Sequence, residues 1–254
     1  WDSGNSYSTT TSSDDDNAAT TGTSDNVVNG VSSEGDVTSF TVALNKNAIS
    51  ESVSVDNEDD DYIENSSFAK TITITFSKSG SATVSGDDAG IVAINGNDVV
   101  VTNTTEAVIK YVLTGETTDG SFKLYSSKKQ SIVLNGVSIT NPDGAAINNQ
   151  SKKRTFIVLN DGTKNYLTDG TKYSDATDSE DMKACFFSEG QLIFSGSGYL
   201  EVDANCKAGI RSDDYVRTMP NTNIYVNASS GNGIRGNDAV IVTGGVINVN
   251  ITGT

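Results

Sequence analysis

Histidine is absent from the 254 residues, proline and cysteine occur twice each, and tryptophan once. Without histidine, any proton-transfer chemistry falls to carboxylates, lysine or arginine. Two cysteines cannot make the framework of a disulfide-stapled domain. No apolar run is long enough to span a membrane, and no long amphipathic helical pattern appears. Positive charge is also scarce: 17 Lys and Arg stand against 33 Asp and Glu, a formal net charge of -16. Such a balance does not suit nucleic-acid phosphate.

What is present is glycine, Asn, Asp, Ser and Thr punctuating short Val/Ile-rich runs, the composition of many short strands joined by tight turns. The expected class is all-β. Charge is unevenly placed, with 14 acidic residues and one basic residue in 1–64 but 19 acidic and 16 basic in 65–254. Residues 1–36, including "YSTTTSSDDDNAATTGTSDN", are Ser/Thr/Asp-rich and poor in apolar residues, and read as a polar tether. Such a tether in front of an all-β domain is the pattern of a secreted or outer-surface-anchored lipoprotein, which sets the expected location as extracellular or cell-surface. Residues 37–104 read as an N-terminal β segment or first coils, and 105–254 as the main body.

The main body repeats. Phe186, Ile210 and Ile234 stand 24 residues apart, each followed by a short β run, a turn and a second β run, and Ser195, Met219 and Thr243 recur in the turn. Coils of a parallel β-helix stack equivalent residues about 4.8 Å apart, so an exact register over several copies predicts a right-handed parallel β-helix with about 24 residues per coil. Ile147, Phe186, Ile210 and Ile234 should line one interior column. Ile147 to Phe186 is 39 residues, so "NNQSKKRT" and "TDGTKYSDATDSEDMK" become loops projecting from one coil. Cys185 and Cys206 are offset by three positions in this register, which favours free, packed thiols over a disulfide.

The stretch "YVLTGETTDGSFKLYSSKKQSIVLNGVSITNPDGAAINNQSKKRTFIVLNDGTKNYLTDGTKYSD", followed by "FFSEGQLIFSGSGYLEVDANCKAGIRSDDYVR", resembles a bacterial carbohydrate-binding β-helix family first described from a cellulolytic clostridium. The resemblance covers about residues 81–254. It implies a pectate-lyase-like fold, bound calcium, and binding of cellulose-like or polygalacturonate chains without an established catalytic activity. Family coils commonly carry Asp or Asn directly before the Gly-Ile pair, whereas Ala208 precedes Gly209 here.

Candidate site residues follow from these readings. Arg211 and Arg235 share an outward column, either as solvated arginines beside Asp213 and Asp238 or as a basic pair for acidic sugars. Tyr215 and Tyr225, with Tyr199, are expected to stack on sugar rings. For calcium, which takes six to eight oxygens, the candidates are Asp175, Asp178, Glu180 and Asp181 in one loop, with Glu189 and Asp213 in a shared column. The run "NEDDDYIEN" at 57–65 is expected to be a solvated loop. The expected function is polysaccharide binding. The alternatives are a filament or adhesin assembled through strand edges, and a uronate lyase using Arg or Lys as base. The last strand, "VINVNI", lacks edge protection and should be covered, either by further chain or by a β segment of another subunit, with "TSFTVALNKNAI" from Thr38 as the best donor.

Overall fold

The computed structural model describes residues 58–252 together with the backbone of three earlier strands. Its β runs wind into a parallel solenoid of about six turns with roughly 24 residues per turn. Three sheets form its faces. The first orders β5 (Thr83–Ser85), β4 (Lys70–Phe76), β8 (Ile109–Thr117), β10 (Gln130–Leu134), β13 (Thr155–Leu159), β16 (Leu192–Ser195), β19 (Tyr215–Thr218) and β22 (Ala239–Val242), with β1 (Tyr7–Thr9) at its end. The second begins at the tail of β8 and runs through β11 (Ser138–Thr140), β14 (Lys164–Thr168), β17 (Tyr199–Ala204), β20 (Asn223–Ala228) and β23 (Gly245–Ile251) to β3 (Asp36–Leu44) and β2 (Val27–Ser33). The third contains β6 (Val92–Asn95), β7 (Asn97–Asn103), β9 (Gly120–Ser126), β12 (Ile147–Asn149), β15 (Ala184–Ser188), β18 (Ala208–Ser212) and β21 (Ile234–Gly236).

The stacked register is the expected one. Ile147 pairs with Phe186, Phe186 with Ile210, and Ile210 with Ile234, all in parallel. Coil strands of the second sheet alternate a buried with a half-exposed residue, as in Tyr199–Ala204, where Leu200, Val202 and Ala204 point inward, whereas β12, β15 and β19 are buried throughout. Equivalent strands of neighbouring coils therefore bury the same column. Phe186 meets Phe194 across the interior edge-on at 5.8 Å between ring centroids, and Tyr111 meets Phe122 at 6.1 Å. Corners are tight: Gly196 sits at φ 87°, and a Cβ there would lie 2.1 Å from the Leu159 carbonyl oxygen. Buried amides tie coils together at these bends. Asn165 accepts from the backbone N–H groups of Gly136 and Val137 on one side and donates to the Tyr199 carbonyl on the other. Cys185 and Cys206 are free thiols, the first fully buried.

Four features differ from the sequence reading. The solenoid begins at Lys70, not near residue 105, because β4 already pairs in parallel with β8 and β7 with β9. The stretch read as tether contains Tyr7–Thr9 and Val27–Ser33 as strands; the rest of 1–36, apart from Asp36, lies outside the described residues. The open side of the last coil is covered within the chain. β3 pairs antiparallel with β23, Gly245 opposite Leu44 through Asn250 opposite Ser39, so the expected donor segment is used by the same chain.

The run at 57–65 is also not a solvated loop over its described part. Glu58–Asp61 and Ile63–Asn65 form two 3-10 turns, and Asp61 is 1% exposed. Its Oδ1 accepts from Arg154 Nε at 2.8 Å and from the Tyr215 hydroxyl at 2.6 Å, and its Oδ2 accepts from Arg217 Nε at 2.9 Å. Beside it, Ile63 and Phe68 pack on Phe156, Ile193 and Met219. Residues 58–69 thus form a strap over the outer side of the first sheet.

Candidate functional site

The outer side of the second sheet carries neither strap nor loop among the described residues. With Leu167, Val202, Val226 and Val249 turned inward, alternation sends Tyr166, Glu201, Tyr225 and Asn248 outward in one column across β14, β17, β20 and β23. Tyr199 and Asn223 stand in the column on one side, Asp203, Asn227 and Asn250 in the column on the other. Tyr166 and Tyr199 touch edge-on with centroids 6.2 Å apart, and the Tyr199 hydroxyl donates to Glu201 Oε1 at 3.0 Å. All three tyrosines are half-buried. A shallow depression of about 380 Å³, lined by Glu116, Ser138, Lys164 and Tyr166 with two glycines, continues the face toward the first coils.

Electrostatically this face is acidic. Burial, followed by the hydrogen bond to Glu201 and that residue's charge, pushes the Asp203 carboxyl up to about 6. Tyr199 is held well above its usual value by burial and by Glu201. Chemically the face offers aromatic surface bordered by amide and carboxyl groups, an arrangement that receives a ligand with one apolar side and many hydroxyls.

The other site candidates are dispersed. Arg211 and Arg235 lie side by side on the outer face of the third sheet, in register on β18 and β21. Arg211 Nη2 donates to Asn237 Oδ1 at 3.2 Å, and its Nε lies 3.4 Å from Asp213 Oδ1. Its pKa is lowered by burial and then by the neighbouring Arg235. The Nε of Arg235 is buried with no acceptor among the described residues. Tyr225 is on the second sheet, not beside the arginines. Tyr215 corrects an expectation: it is 5% exposed, its hydroxyl is spent on Asp61, and the strap closes it off from a sugar. Tyr166 went unnoticed in the sequence, although its place two residues beyond Lys164 in an alternating strand was the signal.

Of the six calcium candidates, the structure brings Asp181, Glu189 and Asp213 together, with one carboxylate oxygen of each within 4.8 Å of the others. The remaining three lie elsewhere. Glu180 pairs with Lys123 at 2.6 Å, Asp175 lies by Asn141, and Asp178 is exposed. The cluster is already occupied by side-chain cations. Lys183 Nζ lies 2.8 Å from Asp181 Oδ2 and 3.0 Å from Asp213 Oδ2. With the Lys183 ammonium bridging two of the three carboxylates, these residues as they stand do not fit a bound calcium ion.

Similarity to known proteins can be set beside this geometry. A family model described as "Carbohydrate-binding domain-containing protein" matches residues 95–254. A protein of the same description from Acetivibrio thermocellus is 34% identical over 122 residues, which are 46% of this chain and 42% of that protein. A solved structure, described as the polysaccharide lyase-like protein from C. thermocellum in a gadolinium derivative, superposes with a TM-score of 0.54 at 29% identity over 62% of each chain. The chain spans less than half the length of the curated relative and less than two thirds of the solved one.

Proposed function

The chain belongs to the carbohydrate-binding domain family, and from that premise we propose that it holds a polysaccharide against the outer face of its second sheet. The observation that carries the reading is the grouping of Tyr166, Tyr199 and Tyr225, half-exposed, on a flat sheet that no strap or loop covers among the described residues. The strap hides much of the first sheet, and the loop at 169–183 sets Glu180 and Asp181 against the third. Tyrosine rings offer apolar surface to the C–H side of a pyranose, and Glu201, Asp203, Asn223 and Asn227 accept from or donate to its hydroxyls. Because Glu201 and Asp203 make the face acidic, the ligand is a neutral, cellulose-like chain. An extracellular or surface location, where such polymers are met, goes with this reading.

The test is sedimentation with insoluble cellulose and affinity electrophoresis in soluble glucans and polygalacturonate, using Tyr199→Ala and Tyr225→Ala. At roughly 1 kcal/mol per lost ring contact, each change weakens glucan binding by about fivefold, and the pair by more. Unaltered binding by the double variant, with the thermal midpoint retained, would overturn the reading.

One observation favours an acidic ligand at a second place, namely Arg235 and its uncommitted Nε next to Arg211. In that case Arg235→Gln weakens retention by polygalacturonate and leaves glucan binding intact. A lyase would further require a base beside a cation that neutralises the uronate. Lys183 and Arg211 already have carboxylate partners, which favours binding over catalysis. No rise in ultraviolet absorbance from unsaturated uronate is expected.

A further inference from the structure

We propose that the ammonium group of Lys183 is the resident cation of the Asp181, Glu189 and Asp213 cluster, standing where a divalent ion would otherwise sit, and that a neutral residue at 183 converts the cluster into a calcium site. The cluster is built from three separate pieces of chain. Asp181 ends the long loop before β15, Glu189 follows β15 directly, and Asp213 follows β18 directly, 24 residues on. The backbone N–H groups of Glu189 and Asp213 donate to the carbonyls of Asn149 and Ser188, each at 2.9 Å, which fixes both acids at equivalent points of adjacent coils. The carboxylate oxygens consequently converge within 4.8 Å, a spacing at which like charges repel and a cation between them is favourable.

Lys183 supplies it. Its Nζ bridges Asp181 and Asp213 at 2.8 and 3.0 Å. Gln150 donates to the Asp181 carbonyl at 2.6 Å, and Asn237 donates to Asp213 Oδ1 at 3.2 Å, so the neighbours hold the acids in place without competing for the bridging position. Lys183 and Arg211 contact the carboxylates directly, and Lys152 adds positive charge beside Glu189. Removing the Lys183 charge leaves the preformed cluster net negative and its two bridged acids without a shared cation, which a divalent ion with bound waters satisfies. A tethered ammonium cannot be chelated or diluted away, so the loop before β15 stays closed whatever the calcium level. This inference concerns the third sheet and is independent of the glycan-binding face.

Calorimetric titration with calcium chloride, thermal melts with and without chelator, and terbium luminescence test it on the whole chain and on Lys183→Met, which keeps the side-chain length. The unaltered chain should show no stoichiometric binding and no chelator effect. Lys183→Met should bind one calcium about tenfold tighter or better, gain a calcium-dependent rise in thermal midpoint, and lose both on adding Asp213→Asn. Lys183→Ala serves as a second neutral variant should Lys183→Met fold poorly. Stoichiometric calcium binding by the unaltered chain that Asp213→Asn or Glu189→Gln abolishes would overturn the inference. So would folded Lys183→Met and Lys183→Ala that bind no calcium.

Discussion

Asp61 draws together three residues from distant parts of the chain. Fully removed from water, it accepts from two guanidinium groups and a phenol hydroxyl, and Arg217 beside it is itself 1% exposed. Breaking one side of a buried ionic cluster strands the partners without compensation, so Asp61→Asn is expected to cost about 3–5 kcal/mol. Urea unfolding followed by circular dichroism checks this, and a loss below about 1 kcal/mol would show that the strap adds little. The sequence concealed Asp61 for a physical reason. Its partners lie 93, 154 and 156 residues away, and a periodic register reveals only neighbours one coil apart. A run of carboxylates with no periodic partner looks the same whether solvated or docked. For the same reason Tyr215 read as exposed: within its own coil it faces outward, and what covers it comes from outside the repeat.

Among the elements, the pairing of β3 with β23 has the clearest consequence. An unprotected parallel edge is a template for another chain, and β3 removes it by antiparallel pairing over Gly245–Asn250. The segment was legible as a strand donor from its composition and its place after a polar stretch. Whether it would serve its own chain or a neighbour was not, since both give the same hydrogen bonds. Covalent linkage decides, because it supplies an effective concentration that a second molecule meets only at high protein levels. The intact chain is therefore expected to be monomeric by light scattering, and a chain lacking residues 1–50 to associate or precipitate as its concentration rises. Equal, monodisperse scattering from both would show that β23 needs no cover. The coil elements were the most legible of all: the 24-residue spacing placed Phe186, Ile210 and Ile234 in one column, and the pairing has them there.

At the scale of the whole molecule, acidity and coil stacking act on each other. Acids meet along one strand, as Glu201 and Asp203 do on β17, and across stacked coils, as Asp214 and Asp238 do. Asp203 and Asp214 are each pushed up to about 6, first by burial and then by Glu201 and Asp238 respectively. Since their unfolded value is near 3.8, the native state binds the extra protons between those limits. Their contribution to stability is greatest at or below the lower limit and is lost as pH rises through about 6. Asp181 and Glu180 act oppositely: hydrogen bonds from Lys183 and Lys123 hold them low, so their contribution is present above the usual carboxylate range and lost on acidification. A higher thermal midpoint is accordingly expected at about pH 5 than at about pH 7.5, and Asp203→Asn with Asp214→Asn should flatten that slope. A midpoint that climbs steadily to neutrality would contradict it.

The strap also constrains how such a protein can change its length. Repeat proteins usually gain or lose whole units by duplication, because each unit touches only its neighbours. Here Asp61 grips Arg154 in one coil and Arg217 two coils later, so a single carboxylate measures the distance between them. Inserting or deleting a coil between β13 and β19 would pull one arginine out of reach, and a coil added between β8 and β13 would overstretch the strap, which is fixed to β8 at Lys70, whereas coils added after β19 leave that pairing untouched. Copy number is thus fixed over one stretch of the molecule and free in another, and engineered lengthening should be attempted only in the second.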